Sequence, residues 1–180
     1  QRYFKCDPMF IGEENCDLGI KALIDRPDQV GADRLVNTVA VHGRYDGDLI
    51  VVDFGTATTF DVVDRDGNYC GGVICPGINV SLDALYMATA QLPRVDIKAT
   101  TSIIGKATIP AMQSGIFWGY IGMIEGLVDR IRKEYGAQMT VVATGGLAPL
   151  FAEATDVIDH VYPDMTLRGL VEVHKRNQPQ

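Results

Sequence analysis

The sequence predicts an α/β fold in which a mixed β-sheet is flanked by helices. Short apolar runs that end in turn residues alternate with longer segments whose apolar residues recur every three or four positions. The short runs are typical of strands, and the longer period is that of amphipathic helices. Alternation of the two along one chain is the pattern of the α/β class.

The first predicted helix, 32–42, has Asp33 and Arg34 in its N-terminal turn, and three strands follow it. The strands are predicted at 49–53, 59–64 and 69–74. An Asp66-Gly67 pair separates the second strand from the third, and this is the chemistry of a tight hairpin turn. The first three strands are therefore expected to be sequential neighbours.

Four more helices and one strand complete the prediction. The helices are expected at 78–89, 110–135, 148–153 and 167–175, and the strand at 139–143. The long helix carries glycines at three- or four-residue spacing, namely Gly115, Gly119, Gly122 and Gly126. Each glycine costs a helix about 0.5–1 kcal/mol relative to alanine, so we expect another helix to approach this face closely.

Charge and composition exclude some classes of partner. The chain has 180 residues and a formal net charge of −7, which argues against binding to a nucleic-acid backbone. Basic residues cluster only at 130–133 and 174–176, which we interpret as solvated helix ends. No apolar run approaches the roughly 20 residues that cross a bilayer, so we expect no membrane partner.

The four cysteines are Cys6, Cys16, Cys70 and Cys75. They form no C-x-x-C pair and the histidines lie far apart, which argues against a structural zinc site. Four cysteines could form two disulfides. For a Gly-rich α/β chain without a secretory signal we expect buried free thiols and a cytoplasmic location.

A first candidate site is the string Asp53-Phe54-Gly55-Thr56-Ala57-Thr58-Thr59. A strand ending in Asp, followed by a Gly and hydroxyl-rich turn, brings backbone N–H groups, hydroxyls and a carboxylate together. Such a turn suits a polyphosphate, and the carboxylate suits the accompanying cation. A plain β-hairpin whose threonines only favour strand formation is the alternative.

Two further strings have similar potential. In Gly31-Ala32-Asp33-Arg34 the acid could take a proton from an attacking hydroxyl, and the guanidinium could bind a carboxylate in bidentate fashion. A helix-start Asp beside a surface Arg would give the same string. In Thr144-Gly145-Gly146 a double-glycine turn could let a flat ligand lie against the backbone, or it could be only a turn.

In this order and spacing, these strings resemble type III pantothenate kinases, which belong to the actin-like ATPase superfamily. The resemblance extends over nearly the whole chain. It also includes the strings Gly71-Gly72-Val73-Ile74-Cys75-Pro76-Gly77, Ile104-Gly105-Lys106-Ala107-Thr108, Ser114-Gly115 and Thr166-Leu167-Arg168-Gly169-Leu170.

The resemblance implies transfer of the γ-phosphoryl group of ATP to pantothenate, the first step of coenzyme A biosynthesis. It implies Asp33 as general base, with Gly31, Ala32, Arg34 and Thr108 contacting pantothenate. The residues implied to lie along ATP are Gly55, Thr56, Thr58, Gly145 and Gly146. Asp53 would bind a monovalent cation, K⁺ or NH₄⁺, and Mg²⁺ would accompany ATP.

The resemblance also implies a homodimer with pantothenate bound at the subunit interface. The glycine face of the 110–135 helix is our candidate for part of that contact, although packing within one chain would explain the same face. The superfamily fold has two duplicated, ribonuclease-H-like lobes. Residues 1–48 are then expected to be the end of the first lobe with the pantothenate loop, and 49–180 the second lobe.

The sequence departs from the family pattern in two places. The Asp-x-Gly-Asn-Thr phosphate loop of the first lobe does not occur in these residues, so we expect a fragment that is a poor or inactive kinase alone. Ile24 stands where many relatives have an aromatic residue, which affects one expected pantothenate contact.

Two other functions fit part of the pattern. A non-catalytic regulatory relative would share the fold, but Asp33, Arg34, Asp53 and Thr56 are all present here. Another actin-like kinase or phosphatase would share the Asp-Gly-Thr turn, but is not expected to carry Gly-Ala-Asp-Arg about 20 residues before it.

Overall fold

The computed structural model describes residues 8–13, 15–88 and 92–178. Cys6 and the predicted helix end at 89 lie outside the described residues. The helices are α1 (Ala32–His42), α2 (Ile78–Ala88), α3 (Thr108–Tyr135), α4 (Ala148–Ala152) and α5 (Met165–Arg176), preceded by a 3-10 turn at Pro27–Gln29. The strands are β1 (Leu49–Phe54), β2 (Ala57–Val63), β3 (Tyr69–Pro76), β4 (Thr140–Gly145) and β5 (His160–Val161).

The five strands form one mixed sheet in the order β3-β2-β1-β4-β5. β1, β2 and β3 are antiparallel neighbours, whereas β4 lies parallel to β1 and β5 parallel to β4. The β2–β3 turn is held by Asp64, whose Oδ1 accepts hydrogen bonds from the backbone N–H groups of Asp66 at 3.0 Å and Asn68 at 2.7 Å. The predicted α/β class and mixed sheet are confirmed.

Side chains of β1 alternate between two helical layers, as the two-residue period of a strand requires. Ile50, Val52 and Phe54 belong to a core shared with α3 and α4. Leu49 and Val51 belong to a second core on the other face of the sheet, shared with α1 and α5. The sheet is therefore covered on both faces.

Close helix packing occurs between α1 and α5, and not where the glycines of α3 predicted it. A Cβ at Gly169 would lie 2.2 Å from the carbonyl oxygen of Val36, so only glycine allows this approach. Gly115, Gly119 and Gly122 are different, because a Cβ there would meet no described atom within 4 Å. Within the described residues, the expected intrachain partner of the α3 face is therefore absent.

Polar side chains of α3 hydrogen-bond to the segment 92–107. The Ser114 hydroxyl donates to the Ile103 carbonyl at 2.5 Å, and the Trp118 indole N–H donates to the Thr100 hydroxyl at 3.0 Å. A Cβ at Gly105 would lie 2.3 Å from the Ala111 nitrogen. α3 begins at Thr108, two residues before the predicted start, and the Ala111 backbone N–H donates to the Ala107 carbonyl at 2.9 Å.

Two further observations concern composition. Cys16, Cys70 and Cys75 carry free thiols; Cys16 is buried, as predicted, whereas Cys70 and Cys75 are only half-buried. Among the described helices, none is both long and apolar enough to cross a bilayer.

Candidate functional site

The ends of β1 and β4 bring two of the predicted site turns side by side. In the parallel register Asp53 pairs with Thr144 and Phe54 pairs with Gly145. Gly145 has a φ of +92°, and a Cβ there would lie 2.5 Å from the carbonyl oxygen of Phe54. Only glycine fits such a position, so the backbone of the β4–α4 turn lies directly against the β1–β2 turn.

These turns form two walls of a cleft of about 290 Å³, and the start of α2 forms the third. Its lining includes Gly55, Thr56, Thr58 and Gly146, together with Ile78, Asn79 and Val80. A Cβ at Gly77 would lie 2.1 Å from the Thr56 carbonyl oxygen, so this glycine lets α2 begin directly against the turn. The first turn of a helix presents free backbone N–H groups and a positive dipole end, which suit an anion.

One buried hydroxyl in the cleft lacks a partner. Thr58 is 0% exposed, and its Oγ1 makes no hydrogen bond within the described part of the chain. Burial of an unpaired hydroxyl is unfavourable, and such a group in a cleft is available to a ligand.

The Asp53 side chain lies on the face of the sheet that α1 covers, opposite to the face of its neighbour Phe54. Its Oδ2 accepts a hydrogen bond from the Asn37 amide at 3.1 Å, and the Asn37 Oδ1 accepts from the Thr166 hydroxyl at 2.7 Å. Burial raises the pKa of Asp53, and the nearby charges of Asp33 and Asp61 raise it further. Because a cation would stabilise the ionised carboxylate here, Asp53 is chemically suited to hold one.

No cluster of three or more His, Cys, Asp or Glu side chains that could hold a metal is found among the described residues. A cation at Asp53 would therefore need further oxygen ligands from backbone carbonyls, hydroxyls or a nucleotide.

Asp33 and Arg34 lie in the first turn of α1, as predicted. Asp33 is exposed, and its Oδ1 accepts a hydrogen bond from the Arg34 backbone N–H at 2.9 Å. Gly31 and Ala32 are exposed at the same helix start. Gly31, Ala32 and Asp33 therefore form one accessible helix start.

The Arg34 side chain turns inward. Its Nε donates to Asp61 Oδ1 at 2.7 Å, Nη2 is in ion-pair contact with the same oxygen, and Cζ lies 5.4 Å from the Tyr69 ring centroid. The sequence predicted a guanidinium free to bind a carboxylate; in the fold one of its sides is occupied by Asp61.

Thr108, a predicted pantothenate contact, lies on α3 and not on α1 or the sheet. It is exposed at the start of α3, and no hydrogen bond or ion pair within the described residues joins it to the others.

Sequence reasoning missed several residues of the site. Asn37 lies one helical turn after Asp33, and Asp61 alternates with Thr59 in an otherwise apolar stretch, so each carried a local signal. The contact of Thr166 with Asn37 joins residues 129 apart and has no local signal. Asn79 was predicted only as a residue of the 78–89 helix and was given no role in a site.

One cleft is surrounded by a hydroxyl-bearing turn, a glycine turn and the start of a helix, and carboxylates lie close by. These features define the class of α/β proteins that bind a phosphorylated ligand. Comparison with known proteins narrows this class. The family model described as type III pantothenate kinase matches residues 1–130.

Curated relatives match over nearly the whole chain. The type III pantothenate kinase of Paramagnetospirillum magneticum is 67% identical over 177 residues, which are 98% of this chain and 68% of that protein. That of Rhodospirillum rubrum is 67% identical over 178 residues, 99% of this chain and 69% of that protein. The chain therefore belongs to the type III pantothenate kinase family, and the sequence resemblance is confirmed.

A solved structure agrees on the fold. The crystal structure of a conserved Campylobacter jejuni protein, described as a Baf family transcriptional activator, superposes with a TM-score of 0.62. The match covers 89% of this chain and 70% of that one at 23% sequence identity. At this identity the likeness bears on the fold alone.

Proposed function

We propose that this chain belongs to a kinase that transfers the γ-phosphoryl group of ATP to the hydroxyl of pantothenate, the first step of coenzyme A biosynthesis. The observation that carries the proposal is the 67% identity to type III pantothenate kinases across 98% of the chain. The cleft and the neighbouring acids provide the kind of site that such a reaction needs.

In this proposal Asp33 is the general base. The pantothenate hydroxyl oxygen attacks the γ-phosphorus, the bond from that phosphorus to the β,γ-bridging oxygen breaks, and the hydroxyl proton passes to the Asp33 carboxylate. ADP is the leaving group. The exposure of Asp33 at the start of α1 leaves it accessible to a substrate. Gly31, Ala32, Arg34 and Thr108 are the proposed pantothenate contacts.

The proposed ATP contacts are Gly55, Thr56, Thr58, Gly145 and Gly146. The cleft geometry supports four of them directly, since Gly55, Thr56, Thr58 and Gly146 line it. Gly145 would act through the close backbone approach that its positive φ permits. Catalysis of phosphoryl transfer is mostly positioning and charge stabilisation, so these backbone and hydroxyl groups should matter as much as the base.

Asp53 is the proposed ligand of a monovalent cation, K⁺ or NH₄⁺, and Mg²⁺ is proposed to accompany ATP. The cations would offset the negative charge of the phosphates. Asn37 would hold the Asp53 carboxylate in place, because it donates to one of its oxygens at 3.1 Å. The described residues do not supply an equally clear Mg²⁺ ligand.

We further propose that 49–180 is one ribonuclease-H-like lobe and that 1–48 is the end of a preceding lobe. The sheet order, with three antiparallel strands followed by parallel β4 and β5, supports this interpretation. The contact of Gly169 with Val36 would then join the two units.

A homodimer through the glycine face of α3 is proposed as well, together with a cytoplasmic location. Gly115, Gly119 and Gly122 are exposed, and a Cβ at any of them would have no described neighbour within 4 Å, which leaves room for a second copy. A Gly119→Leu variant should then shift the mass measured by light scattering toward that of the monomer.

The decisive experiment is an ADP-release assay on the protein as its gene encodes it, with ATP, Mg²⁺, K⁺ and pantothenate. We expect pantothenate-dependent turnover, a phosphorylated product by mass spectrometry, and a loss of at least about 100-fold in kcat for Asp33→Asn with little change in the KM for ATP. Pantothenate binding without turnover in the unsubstituted protein would instead support the regulatory alternative.

A further inference from the structure

Asp61 is the most deeply buried acid of the site, and the proposed function gives it no role. It is 0% exposed and lies on β2, whose neighbouring residues Phe60 and Val62 are apolar. A buried carboxylate is unfavourable unless it is paired and hydrogen-bonded. Its presence here therefore requires the partners that the fold provides.

Those partners hold one side of the Arg34 guanidinium. Arg34 contacts Asp61 through Nε, at 2.7 Å, and through Nη2, while the Thr59 hydroxyl donates to the other carboxylate oxygen at 3.2 Å. Burial raises the pKa of Asp61, while Arg34, Thr59 and Tyr69 act to lower it. These partners favour the ionised form that an ion pair requires.

The backbone also makes room for this arrangement. Gly72 pairs with Asp61 across the β2–β3 ladder, and a Cβ at Gly72 would lie 2.0 Å from the Phe60 carbonyl oxygen and 3.0 Å from Arg34 Nη2. Tyr69 covers the guanidinium from another direction, with Cζ 5.4 Å from its ring centroid. Arg34 is thus held by the Asp61 carboxylate and the Tyr69 ring, and the absence of a side chain at Gly72 leaves space for it.

Because Nε and Nη2 face Asp61, the Nη1 end of the fork is the part left for a ligand. Arg34 Nη1 makes no hydrogen bond within the described residues, and Nη2, although in contact with Asp61, is buried without a hydrogen bond of good geometry. A guanidinium held in this way presents the N–H donors of Nη1 to an incoming carboxylate in a fixed orientation.

We propose that Asp61 is a positioning residue for the phosphoryl acceptor: it holds Arg34 by the Nε side so that the Nη1 end meets the carboxylate of the substrate. The proposal rests on the proposed function, in which Arg34 contacts pantothenate.

The test is a double-mutant cycle in the protein as its gene encodes it, measured as the KM for pantothenate and for ATP. Asp61→Asn should raise the KM for pantothenate about tenfold or more, the usual effect of losing a charge-assisted contact, and leave the KM for ATP within about twofold. In an Arg34→Gln background the same substitution should have no further effect, because Asp61 acts through Arg34.

Asp48→Asn is the matched control. Asp48 is also a buried acid paired with an arginine, since its oxygens accept from the Arg65 backbone N–H at 3.0 Å and side chain at 3.1 Å. Its loss should lower the melting temperature without changing the KM for pantothenate. If Asp61→Asn does not fold, Thr59→Val keeps both charges and should still raise the KM for pantothenate two- to threefold.

Three results would overturn the inference. The first is an unchanged KM for pantothenate in Asp61→Asn, or in Thr59→Val if Asp61→Asn does not fold. The second is that Asp61→Asn raises this KM as much in the Arg34→Gln background as in the unsubstituted protein. The third is an equal increase of this KM in Asp48→Asn. Absence of pantothenate-dependent turnover in the unsubstituted protein is a different outcome, because it removes the proposed function together with this inference.

Discussion

Replacement of Thr58 by valine is expected to change stability and nucleotide affinity in opposite directions. Thr58 lines the cleft and is 0% exposed, yet its hydroxyl has no hydrogen-bond partner within the described residues. Valine has nearly the same shape and lacks the polar atom. The substitution therefore removes an unpaired buried group without opening a cavity.

The magnitude follows from the cost of such a group. An unsatisfied buried hydroxyl costs about 1–3 kcal/mol, so Thr58→Val should stabilise the nucleotide-free protein by about 1 kcal/mol. For a chain of this size that corresponds to a rise in melting temperature of about 2–4 °C. If the hydroxyl donates to or accepts from ATP, the lost hydrogen bond should weaken ATP binding about two- to tenfold.

The assay is differential scanning calorimetry without nucleotide, followed by titration calorimetry with ATP. Thr38→Val is the matched control, because that buried threonine already donates its hydroxyl hydrogen to the Arg34 carbonyl at 2.9 Å, and its loss should not stabilise the fold. A lower melting temperature for Thr58→Val would refute the reasoning on stability. A raised melting temperature with unchanged ATP affinity would refute the role in the site.

Two other predictions follow from contacts at α5 and at β1. Gly169→Ala should destabilise the fold by about 2–3 kcal/mol, since the new methyl would lie 2.2 Å from the Val36 carbonyl oxygen, and urea unfolding measures this. Gly43→Ala is its control, because Gly43 has a φ of −68° that any residue adopts and a Cβ there would lie 3.4 Å from the Val39 carbonyl oxygen, an ordinary contact; it should be nearly neutral, and equal losses would contradict the packing argument. Burial raises the pKa of Asp53, so its carboxylate takes up a proton at a higher pH than an ordinary aspartate does. Because the protonated form cannot bind K⁺ well, activation of kcat by K⁺ should be lost as the pH falls through this raised pKa. Asp53→Asn should show no K⁺ activation at any pH; K⁺ activation retained in that variant would exclude Asp53 as the ligand.

The sheet was predictable where local signals sufficed. Apolar runs and an Asp66-Gly67 turn predicted β1, β2 and β3, although β3 continues to Pro76 because it pairs with Ala57. β5 was not predicted. It has only two residues, His160 and Val161, and is a strand only because it pairs in parallel with Val142 and Ala143 of β4.

The sequence predicted the short motifs that carry the site residues, but not which of these residues contact one another. Spacing and turn chemistry pointed to Asp33, Asp53 and the glycine turns. The pairing of Arg34 with Asp61 depends on how α1 lies across β2, and no local pattern encodes that. The glycines of α3 show the opposite problem, because a small helix face predicted a helical neighbour and the described residues provide none within 4 Å of Gly115, Gly119 or Gly122.

The parallel register of β1 with β4 limits how the protein can change in length over generations. Loss of one residue from β4 would move Gly145 away from Phe54 and turn every later side chain of the strand to the opposite layer. Insertion or deletion in β4 would therefore disrupt the contact between the two turns that form the cleft. The β2–β3 turn and the 136–139 connection lie at the other end of the sheet, and natural variation in length, or an engineered reporter peptide, belongs there.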